Sequence, residues 1–158
     1  RQGETSATLI TLTFQLTKKY LKNASDKKLK KYDGPDSVKE LLMSKYLGAR
    51  EEMVFMLSLD FDDNILAVNK IAHGTFSAAN IDKRFVLETA FRNKARSVVL
   101  IHNHVNGIPV PSRDDLNTTK AVGDFFQGVN VHLLDHLIYT DEDIFSMAQI
   151  KKFAPLFI

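Results

Sequence analysis

The run S-V-V-L-I-H-N-H (97–104), continued by V-N-G-I-P-V-P-S-R-D-D (105–115), decides how the chain is read. Ser97 to Ile101 is a continuous, almost wholly apolar stretch, as expected of a strand covered on both faces. On a strand, residues i and i+2 point the same way, so His102 and His104 aim two imidazoles at one point and Asn103 turns away. Both lie at the carboxyl end of a buried strand, where open α/β sheets place their sites. The loop 105–111, restricted by Gly107, Pro109 and Pro111, is long enough to fold Asp115 back toward the histidines from the first turn of the next helix. Two His and one Asp give three ligands and leave a fourth position for water, the arrangement of a catalytic rather than a structural zinc. Ser112-x-x-Asp115 also reads as a helix start, with Ser112 as N-cap and Asp115 near the positive end of the dipole. The two readings are compatible, because a capped helix fixes the Asp geometry.

Outward from this stretch, helices alternate with strands. Apolar residues at Leu9, Leu12, Leu16 and Tyr20 predict a helix over 5–21, with Phe14 off the stripe. Residues 22–32 are lysine-rich and read as a linker, and Asp33-Gly34-Pro35-Asp36 as a turn. Asp36 or Ser37 is expected to cap a helix running to about Leu47, stopped by Gly48. Strands are expected over 52–59 and 65–72, joined by a turn at 60–64. A helix is expected over 81–94, with Phe85, Val86, Leu87 and Phe91 as its apolar candidates. After the central loop come a helix over 113–127, stopped by Gly128, a strand over 129–139, a turn at 141–143 and a short strand over 144–147. The tail 149–158 should pack back. This order implies a mixed central sheet with helices on its faces.

Composition narrows the function classes. At 158 residues with 44% apolar and 25% charged content, the chain suits one soluble domain with a substantial core, with or without a short appendage. No apolar run approaches the ~18 residues of a membrane span. There are no cysteines, so a metal must be held by His and carboxylates, and a cytoplasmic setting is expected. The net charge of +2 does not point to nucleic acid. Between Lys18 and Lys31, however, stand seven lysines and one acid, Asp26, which reads either as a phosphate-binding patch or as a solvated linker. A hydrolase also needs a general base for its water, usually a glutamate. Glu51, Glu52 and Glu88 are candidates, and spacing alone does not choose among them.

With these motifs in order, residues 52–147 resemble the RadC-like branch of the JAMM (MPN+) metalloprotease superfamily. H-N-H-V-N-G-I-P-V-P-S-R-D-D-L (102–116) fits that family's metal motif without a gap. L-L-D-H-L-I (133–138) and E-E-M-V-F-M-L-S-L-D (51–60) resemble its later block and its first strand, and Gly74-Thr75 and Arg84 also match. The resemblance implies a JAMM/MPN-like α/β fold, a three-layer arrangement of the cytidine deaminase-like kind. It implies Zn2+ on His102, His104 and Asp115 plus water. Aligned on Asp60, it places the general base on Glu52 rather than Glu51, and it gives Ser112 a share in stabilising an oxyanion. It further implies amide or isopeptide hydrolysis of a peptide or protein substrate. Two departures stand out: Val105-Asn106 replaces the family's usual Pro-Ser, which loosens the loop, and Lys83-Arg84-Phe85 replaces Pro-Arg-Glu.

The family often carries a helix-hairpin-helix domain upstream. Residues 1–22 look like the last helix of such a region, 23–35 are taken as linker, and 36–158 as the RadC-like JAMM/MPN domain. A DNA-associated module is therefore the first alternative, through that upstream region and the lysine-rich segment, with a metal-dependent nuclease as a sub-case. A non-catalytic scaffold is the second. His136 is expected to be structural, to support the site or to contact substrate, His132 structural or exposed, and His73 without a role.

Overall fold

In the computed structural model, residues 2–28 and 31–157 are described, with side chains for 5–20 and 31–157. The centre is a five-stranded mixed sheet in the order β2-β1-β3-β4-β5. β1 (Met53–Leu59) runs antiparallel to β2 (Ile65–His73) on one side and to β3 (Ser97–Asn103) on the other. β3 is parallel to β4 (His132–Tyr139), and β5 (Ile144–Ser146) returns antiparallel to β4. Every residue of β3 is buried, as its apolar run requires. Helix α4 (Arg113–Gln127) makes the crossover that a parallel β3–β4 pair needs.

Alternation along the strands divides the core in two. Val54, Met56, Val98, Leu100 and Ile138 face α3 (Lys83–Arg92) and α4, meeting Val86, Ala90, Val122 and Phe126. Phe55, Leu57, Val99, Ile101 and Leu137 face α2 (Lys39–Tyr46), meeting Leu41, Leu42 and Tyr46. The result is three layers, helix–sheet–helix, as expected. The tail packs back through Phe157, which joins the α3/α4 side.

Several local expectations are corrected. The first helix, α1 (Gln2–Lys28), continues through most of the stretch read as a linker; lysine is a good helix former, and composition alone misleads there. Its stripe residues Leu9, Leu12, Leu16 and Tyr20 are exposed, and Phe14, off that stripe, lies against Gly48. Thr11, Thr13 and Thr17 each donate a hydroxyl to the carbonyl four residues back, so these hydroxyls are satisfied within the helix. Neither Asp36 nor Ser37 caps α2. Residues Pro35–Val38 form a 3-10 turn that leads into it, and the Ser37 hydroxyl donates back to the Gly34 carbonyl. In α3 the buried face is Val86, Thr89 and Ala90, while Phe85 and Phe91 are exposed. β4 starts at His132 rather than Val129, because Asn130 turns the chain with φ 58°.

Candidate metal centre

β3 delivers His102 from its buried end, and His104 follows just past it. α4 delivers Asp115. The Ser112 side chain accepts the Asp115 N–H at 3.1 Å, and the Ser112 N–H donates to Asp115 Oδ2 at 2.7 Å. This is the reciprocal capping box anticipated from the sequence. It locks the Asp115 carboxylate over the strand end. Asp115 Oδ1 lies 3.3 Å from His102 Nε2, and Oδ2 lies 3.2 Å from His104 Nε2. The two Nε2 atoms are 2.8 Å apart. The three residues form a cluster able to hold a metal ion, with ligand atoms all within 4.8 Å of one another.

The chemistry of this donor set fits a cation. His104 Nδ1 lies 2.7 Å from the Ile108 carbonyl oxygen. A carbonyl only accepts, so Nδ1 carries the proton of the neutral ring and Nε2 is bare. Burial pushes the Asp115 carboxyl up, but the His102 and His104 imidazoles outweigh it and hold Asp115 well below the usual carboxylate range. Acceptors therefore converge on one point, a cluster that could hold a positive ion. Without a metal that is a proton: the Asp115 carboxylate raises the His104 pKa against the opposing effect of burial, with Ile108 and Glu52 adding to the rise.

Glu52 stands beside this cluster. Val54 pairs with His102 in the antiparallel register, so two further steps bring Glu52 opposite His104. Strand parity puts it on the histidine side, with Val54 and Met56. Glu51 has the opposite parity and is taken by His73, 3.2 Å from its carboxylate; His73 thus has a partner that the sequence did not reveal. Glu88 is on α3, paired with Arg84 at 2.9 Å. Asn103, turned away from the histidines as expected, holds the chain around Glu52. Its Oδ1 accepts the Met53 N–H at 2.7 Å, and its Nδ2 donates to the Glu51 carbonyl at 3.1 Å. The Gly74 N–H donates to the Glu52 carbonyl at 2.8 Å. Gly74 has φ 88°, a backbone conformation that glycine adopts without steric cost.

Three further residues complete the surroundings. His136 Nε2 lies 2.7 Å from His102 Nδ1. Thr119, one turn after Asp115 on α4, lies 2.6 Å from His136 Nδ1. Phe76 is fully buried and stacks on the His102 ring at 5.0 Å and 16°. Burial, then the neighbouring His102, lowers the His136 pKa well below that of a free imidazole. A bulge in β4 aims it. Val98 pairs with Leu133 but Val99 with Asp135, so the strand gains a residue and its alternation flips. Without that extra residue His136 would face α2 rather than His102. Asp135 instead faces α2, and His132 is exposed with Nε2 2.8 Å from the Phe157 carbonyl oxygen.

A family model described as the RadC-like JAB domain matches residues 32–152. The chain belongs to this family. The match begins before the stretch quoted from the sequence and takes in α2. Among relatives, a UPF0758 protein of Clostridium perfringens is 28% identical over 146 residues, covering 92% of this chain and 63% of its own length. A UPF0758 protein of Alkaliphilus oremlandii is 33% identical over 121 residues, covering 77% of this chain and 52% of its own. One from Pseudomonas savastanoi pv. phaseolicola is 32% identical over 117 residues, covering 74% and 52%. The chain thus spans between about half and two thirds of the length of these curated relatives. In this RadC-like JAB domain no described helix is long and apolar enough to cross a membrane.

Thr119, Phe76 and the clamping role of Asn103 escape sequence reasoning. Thr119 leaves one usable signal: it is four residues after Asp115 and so on the same face of α4.

Proposed function

We propose that this chain is a zinc-dependent hydrolase of the JAMM type, cleaving amide or isopeptide bonds of a peptide or protein substrate. The observation that carries the reading is the convergence of His102, His104 and Asp115 beside Glu52. Two imidazoles and one carboxylate suit zinc by ligand type. Bound there, zinc would lower the pKa of a water to ~7 and make hydroxide available near neutral pH. Glu52 would take the proton from that water and pass it to the leaving amine. Ser112 would donate its hydroxyl proton to the developing oxyanion, since its oxygen accepts the cap hydrogen bond while its proton can still be given. Buried Phe76 would keep solvent from the His102 ring.

Purified protein equilibrated with zinc and dialysed should retain the metal stoichiometrically, and His102→Ala and Asp115→Ala should not. Glu52→Gln should keep the metal and lose amide cleavage. Absence of bound zinc in the unmutated, metal-supplemented protein overturns the reading. DNA contact through the lysine-rich segment is a separate proposal; affinity that does not weaken with rising salt would count against it.

A further inference from the structure

Both ring nitrogens of His102 are engaged, and which of them holds the proton decides whether the ring can bind a metal. Thr119 Oγ1 is 2.5 Å from the Asp115 carbonyl oxygen. Two oxygens so close need a proton between them, and the carbonyl has none, so the hydroxyl proton of Thr119 is committed there. Toward His136 the Thr119 oxygen can then only accept. At 2.6 Å, it therefore places the His136 proton on Nδ1. At a pH where the His136 ring is neutral it has a single N–H, which Nδ1 holds, so His136 Nε2 is bare. At 2.7 Å it accepts from His102 Nδ1. The proton of His102 is thus on Nδ1, and its Nε2 is bare toward His104 Nε2 and Asp115.

We propose that Thr119 and His136 are a positioning pair that sets the tautomer of His102 for the metal. Like the function above, the pair rests on the metal reading. Each link has one direction, and His102, Thr119 and His136 are all fully buried, so water has no access to replace a missing partner. The opposite polarity would put the proton on His102 Nε2, where a metal would have to displace it. The chain also closes on itself. Thr119 bonds the backbone of the same Asp115 whose carboxylate faces His102, so the orientation of one ligand is tied to the placement of another. Outer partners of metal-binding histidines are usually carboxylates or carbonyls. His104 follows that habit with Ile108, whereas His102 uses a second neutral histidine.

The test reads tautomers directly. In metal-free protein, at a pH where both rings are neutral, 15N-resolved imidazole spectra should show His102 and His136 protonated at Nδ1. Thr119→Val, similar in shape but without the hydroxyl, should move the His102 proton toward Nε2 and weaken zinc binding in chelator competition about 10–100-fold. Thr119→Ser should restore both readouts. A merely structural role for Thr119 would lower thermal stability and leave the tautomers alone. His102 protonated at Nε2 in the unmutated protein overturns the proposal, and that measurement needs no variant to fold. Equal zinc affinity in the Val, Ser and unmutated proteins also overturns it. Failure of the unmutated protein to take up zinc would overturn the metal reading, while the metal-free spectra would still decide the tautomers.

Discussion

Asp115 and Asp135 are both nearly inaccessible to solvent, at 3% and 4% exposure, yet they meet opposite conditions. Asp135 is surrounded by donors. Its Oδ2 accepts the Tyr32 hydroxyl at 2.8 Å and the Ser146 hydroxyl at 2.6 Å, and its Oδ1 accepts the backbone N–H groups of His136 at 2.7 Å and Ala148 at 3.0 Å. Its charge is satisfied by the fold itself, and it fastens residue 32, β4 and β5 together. The Asp115 carboxylate receives the backbone N–H of Ser112 and otherwise looks at imidazole nitrogens. Burying a carboxylate without enough donors is costly unless a cation joins it. The donors around a buried acid, more than its burial, separate a fastening from a binding site.

The largest effect is expected at Asp115. Asp115→Ala should reduce zinc affinity by well over the about 100-fold that loss of an outer partner costs. Equivalently, zinc at 100 times its Kd should raise the stability of the unmutated protein by about 2.7 kcal/mol and leave the variant's melting curve unmoved. A variant that still gains stability from zinc would show that Asp115 is dispensable.

Asp135→Ala should act on stability instead. It strands two hydroxyls and two backbone donors, at ~1–3 kcal/mol for each group left unsatisfied. We expect a loss of about 3 kcal/mol or more in denaturant unfolding, with zinc affinity of the folded fraction changed only a few-fold. A silent Asp135→Ala would remove the contrast.

Replacement by asparagine sharpens the difference through its sign. Asp135→Asn puts an N–H2 where the carboxylate now accepts the Tyr32 and Ser146 hydroxyls, which takes the acceptor away from both hydroxyl protons and should destabilise. Asp115→Asn gives a proton-bearing group to bare nitrogens, so the metal-free protein at alkaline pH should gain up to about 1 kcal/mol. Thermal melts of both variants in a chelator decide this; destabilisation of both to the same extent would refute the asymmetry.

The smallest expected effect is in the pH dependence of the metal-free protein. The folded pKa of His104 is raised, so its contribution is complete below the unfolded value of ~6.5 and is lost as pH rises through the folded value. The folded pKa of Asp115 is lowered, so its contribution is present above ~3.9 and is lost as pH falls through the folded value. Melting temperatures in a chelator should therefore decline on the alkaline side beyond the titration of His104. Zinc should abolish that decline, since the metal takes the place of the proton. A flat alkaline limb in chelator would contradict the pairing.

What the sequence discloses follows from how local each interaction is. Buried β3, α4 with its capping box, and the His102–His104–Asp115 grouping depend on spacings within one continuous stretch, and all are legible there. Glu52 is not singled out by spacing; the family resemblance selects it, and the β1–β3 register brings its backbone opposite His104. His136 is obscured by the bulge at 133–135, because simple alternation assigns it to the wrong face. Phe76 reaches His102 only through the loop after Gly74, which carries no period. Phe85 and Phe91 mislead in the other direction, since α3 turns Thr89 and Ala90 inward and leaves both aromatic rings at the surface. The lysine-rich end of α1 misleads because solvent-loving side chains say little about whether a backbone is coiled.

Asn103 has a consequence beyond the site. Its side-chain amide matches one N–H and one carbonyl of the segment that carries Glu52, and its two neighbours in sequence are His102 and His104. A slip of β1 along β3 would break that match and carry the acid away from the histidines in the same movement. Under the proposed function, hydrolysis would in this way be conditional on correct strand pairing. A misregistered chain would then be chemically silent, and turnover, on that proposal, would report the fidelity of folding as well as the quality of the site.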